Sequence, residues 1–301
     1  MSNILDMVGN TPLISLKKVT QSLNGVTVLA KAEYFNPSGS IKDRAAKAML
    51  FDGIKQGKLT KDKIIIDATS GNTGIAYAMF GAAMGYRVTL CMPANASFER
   101  KKILRAYGAE IIDTDPLESS DGAYLTVKKL VVQSPQKYFY PDQYNNDINW
   151  KTHYETTGVE ILEQTNHAVT HFVAGAGTSG SFMGISKRLK NYNHEIKTIF
   201  MQPDSPFHGL EGMKHMETTI KPGFFDESVI DRRIEIGTEE AYLMTCRLAR
   251  EEGLFVGISS GANVLAAIKA AETLPESSVV VTLLCDSGYR YMSEPVFEMR
   301  S

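Results

Sequence analysis

Apolar residues fall in short continuous runs separated by longer stretches of helical periodicity, and the alternation continues along almost the whole chain. Residues 26–34 read as a strand, and Ala45, Ala46, Ala48, Met49 and Leu50 mark the apolar face of the helix that follows. Residues 63–67, with Ile64-Ile65-Ile66 at their centre, read as a short buried strand followed by a helix through Met84. A strand at 88–92 and a helix at 98–107 repeat the pair. A strand at 110–113, a helix to about Val132 and a strand at 138–140 complete a first α/β unit. A second unit runs from a strand at 171–174 through a helix to Lys190 and a strand at 198–201. Helices at 239–252 and 262–271 and a strand at 279–284 close it. Strands that are apolar throughout predict parallel sheets covered by helices on both faces. Two such units predict two α/β domains with a site between them, where ligands of open α/β sheets sit.

Composition narrows the class without naming a chemistry. The 301 residues are 43% hydrophobic with a net charge of −2, so no basic nucleic-acid surface or acidic tail is expected. No run of about 18 apolar residues predicts a membrane span, and Met1-Ser2-Asn3 does not open a signal pattern. Cys91, Cys246 and Cys285 are too few and too widely spaced for a disulfide framework. They fit buried thiols in a reducing compartment, and a cytoplasmic protein is expected. The six histidines lack metal-ligand spacing, so no metal site is expected.

Candidate chemistry begins at Asn36-Pro37-Ser38-Gly39-Ser40-Ile41-Lys42-Asp43-Arg44. Asn-Pro and Ser-Gly are turn signals, and the helix starts at or near Lys42. A lysine at a helix N-terminus, shielded from water, is expected to have its ammonium destabilised and to serve as a nucleophilic amine. On this fragment alone an ordinary surface lysine in a first helical turn is the better reading, because the motif is short.

Three further loops follow strands and open helices. In Thr69-Ser70-Gly71-Asn72-Thr73-Gly74, hydroxyls and glycine-exposed backbone N–H groups can cradle a carboxylate. Gly175-Ala176-Gly177-Thr178-Ser179-Gly180 is literally G-x-G-x-x-G, the dinucleotide fingerprint. That reading wants an acidic residue about twenty positions on, at the end of the next strand. Asp204 comes late for it, and a single phosphate satisfies the same N–H groups and helix dipole. The third loop is Gly257-Ile258-Ser259-Ser260-Gly261.

Taken in order, these loops resemble those of the fold-type II pyridoxal-phosphate (PLP) enzymes, in the cysteine synthase and cystathionine β-synthase family. The likeness runs from Gly9-Asn10-Thr11-Pro12-Leu13 to Ser287-Gly288-Tyr289-Arg290-Tyr291. Asp142-Gln143-Tyr144-Asn145-Asn146-Asp147 brings it nearer to the B-type cysteine synthases, because the A-type carry a proline near Asp147. The resemblance implies a tryptophan synthase β-like fold of two three-layer α/β domains with the cofactor in the cleft between them. The smaller, mobile domain would span 36–146, and the larger would combine 1–35 with 147–301. A homodimer without heme is implied.

The resemblance also implies roles. Lys42 would hold PLP as a Schiff base and act as the catalytic base, Asn72 would contact the ring hydroxyl, and Gly177, Thr178, Ser179, Gly180 and Ser181 would bind the phosphate. Ser259 would meet the pyridine nitrogen, where a neutral hydroxyl moderates the electron sink and favours prompt loss of a β-leaving group. Thr69, Ser70, Gly71, Asn72, Thr73 and Gln143 would hold the substrate carboxylate, and closure of the smaller domain would exclude water. The implied reaction is β-replacement on O-acetylserine or O-phosphoserine by sulfide or a thiol, through an α-aminoacrylate, to make L-cysteine.

Alternatives are cystathionine β-synthase-type condensation, serine or threonine dehydration, desulfuration of cysteine, and a silent PLP-fold binding partner. Pro206-Phe207-His208-Gly209-Leu210-Glu211-Gly212-Met213-Lys214-His215-Met216 departs from the A-type pattern. Its part from Gly209 to Met216 resembles the entrance loop of phosphoserine-dependent synthases, which carry arginine where this chain has Lys214. Lys214 is the candidate for reading the leaving group. The charges of Glu99-Arg100-Lys101-Lys102 are expected on a solvated helix face.

Overall fold

A computed structural model describes residues 3–69, 71–219 and 221–299. Ser70, one of the expected carboxylate ligands, lies outside the described residues. The chain folds into two compact units, Met1–Val8 with Lys42–Asn149 and Gly9–Ile41 with Trp150–Ser301. The strands are β1 (Leu13–Ser15), β2 (Thr27–Ala32), β3 (Ile64–Ala68), β4 (Arg87–Pro93), β5 (Glu110–Thr114), β6 (Tyr138–Phe139), β7 (His171–Gly175), β8 (Lys197–Pro203), β9 (Arg232–Ile236) and β10 (Val279–Leu284). The α-helices are α1 (Lys42–Lys55), α2 (Asn72–Met84), α3 (Phe98–Ala106), α4 (Ser119–Gln133), α5 (Ile148–Glu155), α6 (Thr157–Gln164), α7 (Gly180–Tyr192), α8 (Thr238–Glu252) and α9 (Ile258–Ala271). No helix among the described residues is long and apolar enough to cross a membrane.

The unit containing Lys42–Asn149 is built on a parallel sheet ordered β5-β4-β3-β6. Ile64 and Ile66 enter one core cluster with Cys91 and Val127, while Ile65 enters the opposite one with Leu50 and Phe80. Successive strand side chains point to opposite faces, and helices cover both, so the run must be apolar at every position. Each fully buried isoleucine contributes about 1.5–3 kcal/mol. The unit containing Trp150–Ser301 carries the order β1-β2-β10-β7-β8-β9, parallel except for the antiparallel β1. Val280 and Leu284 face one cluster there, and Val281 and Leu283 the other.

Both sheets have a switch point. The chain moves outward from β3 to β4 to β5, then returns to place β6 on the other side of β3. In the second unit it moves from β7 to β8 to β9 and returns to place β10 beside β7. Loops leaving the strands on either side of such a point diverge and open a crevice for ligands.

The structure corrects several local expectations. β2 ends at Ala32, and Glu33–Phe35 forms a single 3-10 turn. α9 begins at Ile258, four residues ahead of the expected Ala262, so both serines of the third loop lie in its first turn. β1 and β9 were not anticipated, being three residues long and charge-rich respectively; nor were the polar helices α5 and α6. The α3 charges are not all solvated. Arg100 and Lys101 are buried, and the Lys101 ammonium reaches Asp113 Oδ1 at 2.6 Å and the Ala94 carbonyl at 2.8 Å. The three cysteines are free, two of them buried and Cys285 half-buried.

Candidate active site

The turn before Lys42 is held by a buried polar network. The Glu33 carboxylate, fully buried, accepts from Thr11 Oγ1 at 2.6 Å and from Asn36 Nδ2 at 2.9 Å. Asn36 Oδ1 in turn accepts the Gly9 N–H at 2.9 Å. Such a network satisfies the polar atoms that burial would otherwise leave costly. Gly39 takes a positive φ of 85°, the left-handed conformation that glycine adopts without strain. The Arg290 guanidinium donates to the Ser38 carbonyl. Ser40 pairs with Asp286 in an isolated antiparallel bridge, and the Ile41 N–H donates to the Cys285 carbonyl at 2.9 Å. The backbone is therefore clamped up to the residue before Lys42, which opens α1 half-buried.

The expected carboxylate loop leaves β3 and leads into α2 through Gly71. Thr69 Oγ1 accepts the Gly71 N–H at 3.2 Å, and Asn72 is the first residue of the helix. Thr73 Oγ1 donates to Gln143 Oε1 at 3.0 Å, and Gln143 Nε2 donates to Asp67 Oδ2 at 3.3 Å. Thr73 and Gln143, 70 positions apart, meet because β3 and β6 are neighbours at the switch point. Asp67 is wholly buried, and desolvation pushes its carboxyl up to about 7 against the lowering effect of the Ala68 N–H.

The glycine-rich loop leaves β7. Ser179 sits at the N-cap of α7 with φ 68°, and its Oγ is buried without a hydrogen-bond partner. A Cβ on Gly177 would lie 2.5 Å from the Gly212 carbonyl oxygen, so glycine is required for the close approach. The Lys214 N–H donates to the Ala176 carbonyl at 2.8 Å, which ties the 209–216 segment to the same loop. Thr178 is buried and Ser181 half-buried. A helix N-terminus combined with an orphaned buried hydroxyl and a left-handed cap suits a phosphate.

At the start of α9 the two serines differ. Ser260 Oγ accepts the Cys285 N–H at 2.9 Å, whereas Ser259 is buried and its hydroxyl takes no partner among the described residues. Asn263, one turn on, accepts the Gly175 N–H at 2.8 Å and donates to the Leu283 carbonyl at 3.1 Å. It joins the ends of β7 and β10 beneath the loops. Sequence reading missed Asn263 and Asp67. A lone asparagine in the apolar run of α9 and an aspartate ending an all-isoleucine strand were the available signals. These residue sets suit PLP: a helix-opening lysine, a phosphate cradle, and a neutral hydroxyl left free for a ring nitrogen.

Comparison with known proteins agrees. The model of the family "Pyridoxal-phosphate dependent enzyme" matches residues 4–286. The chain is 52% identical over 299 residues to the cysteine synthase of Aquifex aeolicus (strain VF5), covering 98% of this chain and 91% of that one. It is 39% identical over 297 residues to cysteine synthase B of Escherichia coli (strain K12), covering 99% and 96%. The cysteine synthase structure from Entamoeba histolytica superposes with a TM-score of 0.95 at 36% identity, covering 100% of this chain and 92% of that one. The chain belongs to the pyridoxal-phosphate dependent enzymes, in the fold-type II family of cysteine synthases and cystathionine β-synthases.

Proposed function

We propose that the protein is a cysteine synthase that replaces the β-substituent of an activated serine with sulfide or a thiol. The observation that carries this reading is a pair of buried serines at two helix N-termini, Ser179 with its hydroxyl buried and unpartnered and Ser259 with its hydroxyl unpartnered among the described residues, in a chain whose Lys42 opens a third helix. PLP, when bound, supplies a carbonyl for covalent attachment and an electron sink for the α-carbanion. Lys42 provides the amine that anchors it. Gly177, Thr178, Ser179, Gly180 and Ser181 hold its phosphate, Asn72 its ring hydroxyl and Ser259 its ring nitrogen.

Thr69, Ser70, Gly71, Asn72, Thr73 and Gln143 hold the substrate carboxylate and orient the Cα–H bond toward Lys42. The freed Lys42 Nζ takes the α-proton as the leaving group departs from Cβ. After the nucleophile adds at Cβ, the same Nζ returns a proton to Cα. Two half-reactions give ping-pong kinetics. The uncharged Ser259 does not hold the ring nitrogen protonated as a carboxylate would, and this favours β-elimination over transamination.

Lys214 reads the leaving group. A phosphate would bring close to two negative charges, which a nearby cation stabilises, although lysine lacks the bidentate fork of arginine. A homodimer accompanies this reading, supported by the exposed Ile4 and Met7 of the N-terminal segment; light scattering that returned a monomer mass at micromolar concentration would exclude it.

The decisive experiment supplies O-acetylserine, O-phosphoserine, serine and cysteine separately to the PLP-loaded protein and follows the cofactor's absorbance. Sulfide is then added and cysteine assayed. O-Acetylserine or O-phosphoserine is expected to shift the absorbance and yield cysteine with sulfide. A response to cysteine alone, with sulfide released, would reverse the assigned direction.

A further inference from the structure

Asp67 lies outside the machinery assigned above, yet it is the buried end of a hydrogen-bond chain that reaches that machinery. Its Oδ1 accepts the Ala68 N–H at 2.7 Å, and its Oδ2 accepts from Gln143 Nε2 at 3.3 Å. Gln143 Oε1 accepts from Thr73 Oγ1 at 3.0 Å. All three side chains are buried, with Asp67 1% exposed.

The chemistry of each group sets the direction of the chain. An ionised carboxylate only accepts, so Gln143 must turn its NH2 toward Asp67 and its oxygen toward Thr73. The Thr73 hydroxyl then spends its one proton on Gln143, and it offers an arriving carboxylate only lone pairs. That polarity is wrong for a carboxylate site. A protonated Asp67 reverses it. Asp67 Oδ2–H donates to Gln143 Oε1, a half-turn of the amide brings Gln143 Nε2–H to Thr73 Oγ1, and the Thr73 O–H is released to donate outward. The reversal moves no backbone and consumes one proton from solvent.

We propose that Asp67, Gln143 and Thr73 form a proton-coupled relay, in which protonation of Asp67 turns the Thr73 hydroxyl into a donor for the incoming substrate carboxylate. The proposal rests on reading Thr73 and Gln143 as part of the carboxylate site, and it makes Asp67 a positioning residue. The surroundings of Asp67 suit a group that titrates near neutrality. It is faced by Tyr77 from α2, Cys91 from β4, and Tyr140, Asp142 and Tyr144 from the segment after β6. Burial, and then Asp67 itself, push the Cys91 thiol up to about 11 and the Tyr144 phenol up to about 12, so both stay neutral where Asp67 titrates. Asp142 adds a second negative charge that favours the protonated form.

The test measures binding of propanoate, a carboxylate with neither amine nor leaving group, to the PLP-loaded protein by calorimetry between pH 6 and 9. Buffers of different ionisation enthalpy count the protons. Near pH 6 little or no proton uptake is expected. At pH 8–9 close to one proton should be taken up per propanoate, with Kd rising about tenfold per pH unit. In Asp67→Asn the amide can face Gln143 as a permanent donor, so uptake should vanish and Kd should stay flat, about tenfold or more below wild type at pH 8. Gln143→Met, which cuts the chain at its middle, should also abolish the uptake.

Wild-type binding with no proton uptake at pH 8–9 overturns the relay, as does undiminished uptake in Asp67→Asn or Gln143→Met. Thr73→Val separates the relay from the site assignment beneath it. If Thr73→Val binds propanoate like wild type, the Thr73 hydroxyl does not hold the carboxylate, and its assignment fails together with the relay. If Thr73→Val weakens binding while the other variants keep the coupling, the relay alone fails.

Discussion

The Ser260 hydroxyl accepts the backbone N–H of Cys285 at 2.9 Å, while Ser259 beside it leaves its own hydroxyl without a partner among the described residues. The two serines should therefore respond differently to removal of the oxygen. Ser260→Ala strips a part-buried N–H of its acceptor and should cost about 1 kcal/mol in chemical denaturation. Ser259→Ala should leave stability near wild type and lower turnover. If both variants lose equal stability with unchanged turnover, Ser259 has no role at the cofactor.

The Lys31 ammonium, fully buried, lies 2.7 Å from Glu160 Oε2 and also donates to the Thr11 carbonyl and Gln164 Oε1. Glu160→Ala should destabilise by about 3–5 kcal/mol, because it removes a charge partner at 2.7 Å from a fully buried cation. Lys31→Met should cost less, since the Glu160 side chain retains 11% exposure and its charge can still be hydrated. Denaturant titration of both variants checks the order of the losses.

Asp67 should make stability fall with rising pH over a defined window. Its folded-state carboxyl is held at about 7, above the ~4 of an unfolded aspartate, so the folded state binds the proton more tightly. The stabilisation from that proton is complete below about pH 4 and is lost as pH rises to about 7, on the order of 4 kcal/mol in all. Asp67→Asn lacks this loss. The Tm of the variant minus that of wild type should increase from pH 5 to pH 8; a constant difference would place the Asp67 carboxyl in the ordinary range.

Lys42→Ala should abolish the covalent link to PLP, read as loss of the borohydride-reducible protein–cofactor bond. The phosphate loop should still bind the free cofactor weakly. A variant that retained a reducible bond would point to another lysine as the anchor.

Lys214→Ala should lower kcat/KM for O-phosphoserine about tenfold or more, roughly 1.4 kcal/mol, while barely changing O-acetylserine. Steady-state kinetics with both donors decides. Equal losses would mean that Lys214 shapes the loop tied to Ala176 and does not read the leaving group.

What the sequence determined by itself was local. Runs such as Ile64-Ile65-Ile66 announced strands buried on both faces, because only continuous apolar character satisfies two helical layers. Asn-Pro and Ser-Gly turns announced a helix opening at Lys42, and α1 begins there. The tertiary structure decided what depends on neighbours distant in the chain. Thr73 meets Gln143 across 70 positions and Asp67 meets it across 76, because β6 returns beside β3. No local pattern encodes that return. The same holds for Ser260, which is used by Cys285 at the end of β10, and for Lys101, drawn out of solvent by Asp113 on β5. Periodicity reports which face of an element is apolar. Whether a polar group on that element is buried, paired or left free depends on which strand is laid beside it, and long-range packing fixes that choice.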